Sequence, residues 1–347
     1  MITASERNSN KTRIMTENIA LRAVDIFLSI LKQNGKSDAY INFGGGEPLL
    51  NRSVIESVLN YCHTKYGKKF KFNFRINTNA SLVTPEVAGL LKTYDVKPAI
   101  SLDGLESAND KVRKTKSGNG TFNKIINGIN NLEKVNYAAQ GFSTTVTEEN
   151  FDLIDDSLID FAEKRDLGDI RIDLDVIHLL SIPIESVIQK IMNLKTLAES
   201  KGMHLAGFWE RPAENLNNSI LEKHIAFCGG IAGKSMCVSP SEEIFICGYS
   251  GKKFSSLSQE EILSSKTYDC IVTGRLAGRI KRCKDCPIEG QCIGGCFITE
   301  EFNDLDKKAA LSYNCELYQR MTAELLKKSL KEAISNLAET GTERRKP

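Results

Sequence analysis

No run of 18 or more apolar residues occurs in the 347-residue sequence, so no segment reads as a membrane-spanning helix. The first fifteen residues, MITASERNSNKTRIM, have no apolar core of the secretory type. An excess of one charge is also missing: 46 Lys and Arg face 44 Asp and Glu, for a formal net charge of +2. That excludes the basic field with which proteins grip nucleic acid. Low-complexity segments are lacking, and 41% hydrophobic with 26% charged residues excludes a disordered, collagen-like or coiled-coil chain. Together these absences predict a cytoplasmic protein with no membrane or nucleic-acid partner. Cysteine is nearly absent from the first 227 residues, where only Cys62 occurs.

Helix and strand patterns alternate through the first two hundred residues. Thr16 caps a helix carrying Ala20, Ala23, Val24, Phe27, Ile30 and Leu31 at helical spacing, and Gly35 stops it. Strands are predicted over 39–43, 71–78, 97–102, 140–146 and 169–176. Helices are predicted over 53–66, from Pro85, and over 122–135, 151–165 and 184–201. Five strand-then-helix units after one unpaired helix imply an α/β fold, a parallel sheet with helices outside, doubly wound or barrel-like. In such barrels chemistry sits at the C-terminal strand ends. Glu47, Asn77, Asn79, Ser101 and Asp103 all fall there. The expected division is a barrel-like part over 1–202, a connector over 203–227, a cysteine-rich part over 228–320, and a C-terminal helix and tail over 321–347.

Nine of the ten cysteines lie between Cys228 and Cys315. A reducing compartment makes disulfides a poor explanation, and clustering of this kind points to metal ligation. Cys283, Cys286, Cys292 and Cys296 have the spacing Cys-x2-Cys-x5-Cys-x3-Cys, and Cys315 follows after eighteen further residues. Cys228, Cys237 and Cys247 form a looser group upstream. Eight thiolates, enough for two four-thiolate sites, remain once Cys270 is set aside within the helical stretch KTYDCIVTGRL. Such sets suit zinc or iron–sulfur clusters. Gly229, Gly230, Gly233, Gly290, Gly294 and Gly295 favour the cluster, because backbone without Cβ can curl around a cubane. The presence of only one Cys-x2-Cys pair disfavours a zinc ribbon. Cys62, in line with Ile55, Val58 and Leu59, reads as core.

Phe43-Gly44-Gly45-Gly46-Glu47-Pro48 follows a strand and precedes a helix. Alone it reads as an anion- or cofactor-binding turn or as a tight structural turn. With the eight-cysteine tail, the chain resembles the radical SAM enzymes of the SPASM class, which include anaerobic sulfatase maturases and peptide maturases. The resemblance implies that Gly45, Gly46, Glu47 and Pro48 bind the methionyl group of S-adenosylmethionine. Ser101 and Asp103 would approach its ribose, with Asn77-Thr78-Asn79 as the preceding strand's counterpart. The segment from Asn109 to Phe122, with Arg113, Gly118 and Gly120, is similar to a loop of this class. Cys228, Cys237, Cys247 and Cys296 would hold one auxiliary [4Fe–4S] cluster, and Cys283, Cys286, Cys292 and Cys315 the second. Where the family favours glycine five residues before Cys247, this chain has Glu242. A (β/α)6 barrel lacking its first strand, followed by a small iron–sulfur (SPASM) domain, is the fold so implied.

The family also carries Cys-x3-Cys-x2-Cys for a catalytic cluster, and no such run is present. Thr3-Ala4-Ser5-Glu6 looks like residues just beyond it, so the chain is expected to begin after the missing loop, with its first visible strand exposed along one edge. Catalytic residues are therefore not assignable. In complete form the protein would use a 5′-deoxyadenosyl radical to abstract hydrogen from a peptide or protein side chain, giving a crosslink or formylglycine. A reducing partner such as flavodoxin or ferredoxin would serve it. The alternatives are a non-catalytic iron–sulfur protein that relays electrons or binds peptide, and a zinc-stabilised binding module. Trp209 reads as packing. His178, Asp173 and Asp175 are weaker candidates for lining the site.

Overall fold

The computed structural model describes residues 14–178, 180–218, 225–302 and 307–343. Thr16 opens helix α1 (Glu17–Gln33), its hydroxyl accepting from Ile19 N at 3.4 Å. Ala20, Val24 and Leu28 recur on one side of α1 and are buried. Gly35 then turns the chain at φ +64°.

Six strands follow: β1 (Asp38–Phe43), β2 (Lys71–Thr78), β3 (Lys97–Ser101), β4 (Gly141–Val146), β5 (Asp169–Leu174) and β6 (His204–Ala206). They form one parallel sheet in chain order, so sequence neighbours are spatial neighbours. Parallel pairing demands long crossovers. Helices α2 (Arg52–Tyr61), α3 (Pro85–Thr93), α4 (Glu106–Val112), α5 (Phe122–Lys134), α6 (Ser157–Lys164) and α7 (Ile184–Ser200) supply them. Strand β1 pairs with β2 alone among the described residues, and its Tyr40 is exposed.

A parallel sheet covered on both faces reads as unbroken apolar runs. These strands alternate instead. Phe74, Ile76, Ile100, Phe142, Ile170 and Ile172 are buried in the core. The intervening Arg75, Asn77, Ser101, Ser143, Thr145, Arg171 and Asp173 share the opposite, polar face. Register carries that face across the sheet, with Ser101 beside Ser143 and Thr145 beside Asp173. A polar sheet face suits a polar ligand rather than a packed core.

Strand β4 begins at Gly141 because nothing larger fits: a Cβ there would lie 1.6 Å from the Asp169 carbonyl oxygen. We expect Gly141→Ala to destabilise the protein by roughly 3 kcal/mol, an overpacking cost, measured by urea denaturation. Replacement of Gly168, whose Cβ meets nothing within 4 Å, serves as the control.

Several expectations are corrected. Residues 203–227 are not an irregular connector throughout. They begin with β6, continue into a 3-10 turn at Phe208–Glu210, and then form helix α8 (Arg211–Asn218). A three-residue strand is too short to show alternation, so the barrel-like part extends beyond residue 202. The single helix expected over 151–165 is a 3-10 turn, Phe151–Leu153, followed by α6. Helix α4 lies in a stretch taken as loop.

The cysteine-rich part holds a three-stranded antiparallel sheet, β7 (Cys237–Val238), β8 (Glu243–Phe245) and β9 (Lys253–Ser256). Helices α9 (Gln259–Leu263), α10 (Lys266–Thr273), α11 (Glu289–Cys292), α12 (Ile298–Phe302) and α13 (Lys307–Glu343) complete it. Because α13 is continuous, the boundary expected between residues 320 and 321 falls inside a helix. It contains no proline and meets its first glycine at Gly341, so nothing breaks it. A second apolar core, with Ile231, Ile244, Ile246, Phe254 and Phe297, receives Ile19, Ala23 and Ile26 of α1. Among the described residues no helix is long and apolar enough to cross a membrane. Thr3-Ala4-Ser5-Glu6 lies outside the described residues.

Candidate functional site

The C-terminal ends of β1, β2 and β3 meet at one rim. Gly44, Gly45 and Gly46 follow β1, and a Cβ on any of them would meet nothing within 4 Å. Gly45 has φ +134°, which L side chains rarely adopt. The turn therefore borders open space, with unobstructed backbone on its inner side. Pro48 starts a 3-10 turn (Pro48–Asn51) and is buried. Glu47 is not a free carboxylate. It accepts from Thr78 Oγ1 at 2.7 Å, Asn79 N at 2.9 Å and Leu49 N at 3.2 Å. It thus ties the glycine turn to the end of β2. Three of about four acceptor sites are used, leaving one for a ligand. Asn79 folds back as an Asx turn, its Oδ1 accepting from Ser81 N at 2.9 Å. Asn77 stands exposed on the polar face.

At the next strand end, Ser101 closes β3 and Asp103 is buried. Arg113 grips Asp103 with two bonds, from Nε at 2.6 Å and Nη2 at 3.2 Å. Thr145 N donates to the same carboxylate at 2.8 Å. Two buried asparagines fix the backbone of Asp103. Asn109 Oδ1 accepts from Asp103 N at 3.2 Å, and Asn150 Nδ2 donates to Asp103 O at 3.2 Å. The loop bearing Arg113 is organised around Asp110, whose carboxylate accepts from Thr121 N and Phe122 N. A Cβ on Gly120 would strike that carboxylate at 1.9 Å. Asn150 and Thr145 escaped the sequence reading. Short polar residues at strand ends were the available signal.

The eight clustered thiols lie on several elements of the cysteine-rich part. Cys237 lies on β7 and Cys247 just past β8 of the same hairpin. The Cys228 turn packs close beside them, for a Cβ on Gly230 would meet Ile246 O at 2.7 Å. Burial pushes the Cys237 thiol up to about 11, helped by Cys247. It pushes Cys296 up to about 12, helped by Cys247 and Cys228. Those four are therefore electrostatic neighbours. Cys292, also raised to about 12 by burial, is influenced next by Cys315, Cys283 and Cys286. These four form a second neighbourhood, where Gln319 Nε2 reaches Cys286 Sγ at 3.4 Å. Cys292 and Cys296 part company because Ile293, Gly294 and Gly295 all adopt positive φ, at +48°, +73° and +70°. Among the described residues no three His, Cys, Asp or Glu side chains stand close enough to hold a single metal ion.

Glu242, where the family favours glycine, does adopt the left-handed conformation at φ +59°. Its carboxylate meets Arg22 of α1 at 2.9 Å. Of the remaining residues, Cys62 is fully buried and its thiol is pushed up to about 12, chiefly by burial. Cys270 is exposed on α10. Trp209 is buried and donates to Ile172 O at 2.7 Å. Asp173 pairs with Arg171 and accepts from Phe208 N at 2.6 Å. Asp175 accepts from its own following turn and contacts His178 Nδ1 at 2.6 Å, with His178 mostly exposed.

Residues 10–160 match the model of the Radical SAM superfamily. The radical SAM cyclopropyl synthase TigE of Paramaledivibacter caminithermalis is 27% identical over 330 residues, 92% of this chain and 67% of that protein. The mycofactocin maturase MftC of Mycolicibacterium smegmatis is 33% identical over 118 residues, 34% of this chain and 28% of that protein. A solved structure of anSMEcpe with bound AdoMet and the Cp18Cys peptide superposes with a TM-score of 0.72 at 17% identity, covering 93% of this chain and 92% of that one. At that identity the likeness is one of fold. The chain spans only part of TigE and MftC. A glycine turn at the end of a strand in a parallel α/β sheet, the family match across it, and similarity to TigE over most of the chain agree: residues 10–160 are similar to the Radical SAM superfamily.

Proposed function

We propose that this chain is a peptide- or protein-maturing radical SAM/SPASM protein, with an S-adenosylmethionine cradle at the strand ends and two auxiliary [4Fe–4S] clusters. Cys228, Cys237, Cys247 and Cys296 hold one cluster; Cys283, Cys286, Cys292 and Cys315 hold the other. The observation that carries the reading is the placement of Cys237 and Cys247 on one hairpin beside the Cys228 turn, with Cys292 and Cys296 divided by the left-handed run at Ile293, Gly294 and Gly295. Spacing alone would assign Cys292 and Cys296 to one site.

The open glycine turn at Gly45 and Gly46 leaves room for the methionyl end. Glu47 keeps that turn in place and offers its remaining acceptor site to an ammonium group. Asn79 and Ser101 edge the cradle, and Asp103, held by Arg113, fixes the backbone facing the ribose. Held in this cradle beside a catalytic iron–sulfur cluster, S-adenosylmethionine would supply the radical chemistry that abstracts hydrogen from a peptide. The Cys-x3-Cys-x2-Cys run that ligates such a cluster in the family is not in this sequence. A second reading is a non-catalytic iron–sulfur protein that relays electrons or binds peptide. TigE and MftC, named as synthase and maturase, support the maturation reading, and the reductant would be a flavodoxin or ferredoxin.

Anaerobic reconstitution of the full chain tests the proposal. The expected result is about eight iron and eight sulfide per chain, four of each per cubane, with saturable S-adenosylmethionine binding by equilibrium dialysis. Clusters without S-adenosylmethionine binding would select the non-catalytic reading. Stoichiometric zinc without sulfide would overturn both.

A further inference from the structure

Two guanidinium groups meet where the cysteine sets adjoin. Arg275, just beyond α10, has a side chain only 10% exposed. Its Nη2 pairs with Glu300 Oε2 at 2.8 Å, and its plane lies 5.9 Å from the Phe297 ring centroid. Its buried Nη1 has no hydrogen-bond partner. Arg282 shares Glu300, at 2.6 Å, and donates to the Gly294 carbonyl at 2.7 Å. Its charge also acts on the Cys315 thiol, lowering a pKa that burial raises.

Both groups pack on the left-handed run that joins Cys292 to Cys296. A Cβ on Gly294 would stand 2.9 Å from Arg282 Nη2 and 3.3 Å from Arg275 Nη1. Within this brace two cations share one carboxylate, so one positive charge is left without a partner. Burying such a charge costs several kcal/mol unless another negative group offsets it. On the cluster reading, the negative groups in reach are the thiolates that ligate the clusters. Arg275 is influenced by Cys296 and by Cys283, one from each set. Arg282 acts on Cys283 and Cys315, both of the second set.

We propose that Arg275 is a shared counter-charge for both auxiliary clusters and raises the reduction potential of each, while Arg282 acts on the Cys283/Cys286/Cys292/Cys315 cluster alone. The proposal rests on the cluster reading above. A reduced cluster carries one more negative charge than an oxidised one, so a fixed buried cation favours the reduced state. Its orphaned Nη1 and its place between Cys283 and Cys296 make Arg275 the group that both clusters feel.

The test is an anaerobic redox titration of the reconstituted full chain with dithionite, one electron entering each cluster, followed by electron paramagnetic resonance. Arg275→Met should make reduction of both clusters about tenfold less favourable, a shift of about 59 mV for one electron. Arg275→Lys, which keeps the charge, should stay near the unaltered midpoints. Arg282→Met should move one midpoint only. Arg275→Gln serves if the Met variant fails to fold, since it removes charge but keeps a polar amide. The proposal is overturned if removing the charge moves one midpoint or neither, or if Arg275→Lys shifts them as far as Arg275→Met. An unaltered chain without iron would instead sink the cluster reading, and iron analysis tells the two failures apart.

Discussion

Replacing Cys292 with serine should leave about four iron atoms per chain where the two-cluster proposal gives the unaltered protein about eight. The loss is confined to one cluster because the fold keeps the two sets of thiols separate. Cys292 has Cys283, Cys286 and Cys315 as its electrostatic neighbours, whereas Cys296 has Cys247 and Cys228. Cys296→Ser should likewise halve the iron, but by emptying the other site. The double variant should therefore hold almost none. If Cys292 and Cys296 served one cluster, as their spacing alone suggests, the double variant would instead match either single one. Iron and sulfide analysis after anaerobic reconstitution decides between these outcomes. Thiolate coordination is the reason for the size of the effect. Burial holds these thiols protonated when no metal draws off the proton, and serine supplies no equivalent soft ligand.

Asp103→Ala should cost about 3 kcal/mol of stability, the usual penalty for stripping one partner from a buried pair. It should also weaken S-adenosylmethionine binding by about tenfold or more, equivalent to about 1.4 kcal/mol. The carboxylate is 7% exposed and accepts from Arg113 twice and from Thr145 N once. Its removal frees Arg113, and with it the loop organised by Asp110. Asp103→Asn should lose less, because the amide oxygen can still accept from Thr145 N. Urea denaturation and equilibrium dialysis read the two effects separately. Lost stability with unchanged affinity would show Asp103 to be a structural brace remote from the ligand.

Much of the architecture was legible along the chain because its signals are local. Thr16 and Gly35 bracket α1, and alternation in KFNFRINT marks β2. What stayed hidden depended on length or distance. His204, Leu205 and Ala206 are too few to show a period, yet they complete the sheet beside β5. Helix α4, seven residues long, was lost in a polar stretch. Glu47 drew attention as a carboxylate after a glycine turn, but its bonds to Thr78 and Asn79 span more than thirty residues and arise only because β1 and β2 pair.

The amino-acid order by itself determined the alternating α/β scaffold, the polar residues at the strand ends and the presence of eight thiols in the last third of the chain. Those properties follow from periodicity, turn chemistry and composition, all of which act over a few residues. The tertiary structure alone decided which carboxylates are already occupied and where Arg275 lies. Left-handed backbone at Ile293, Gly294 and Gly295 separates two cysteines four positions apart, and packing brings Cys315 to Cys283 across thirty-two. Such proximity comes from how buried surfaces fit together, and no local pattern encodes it.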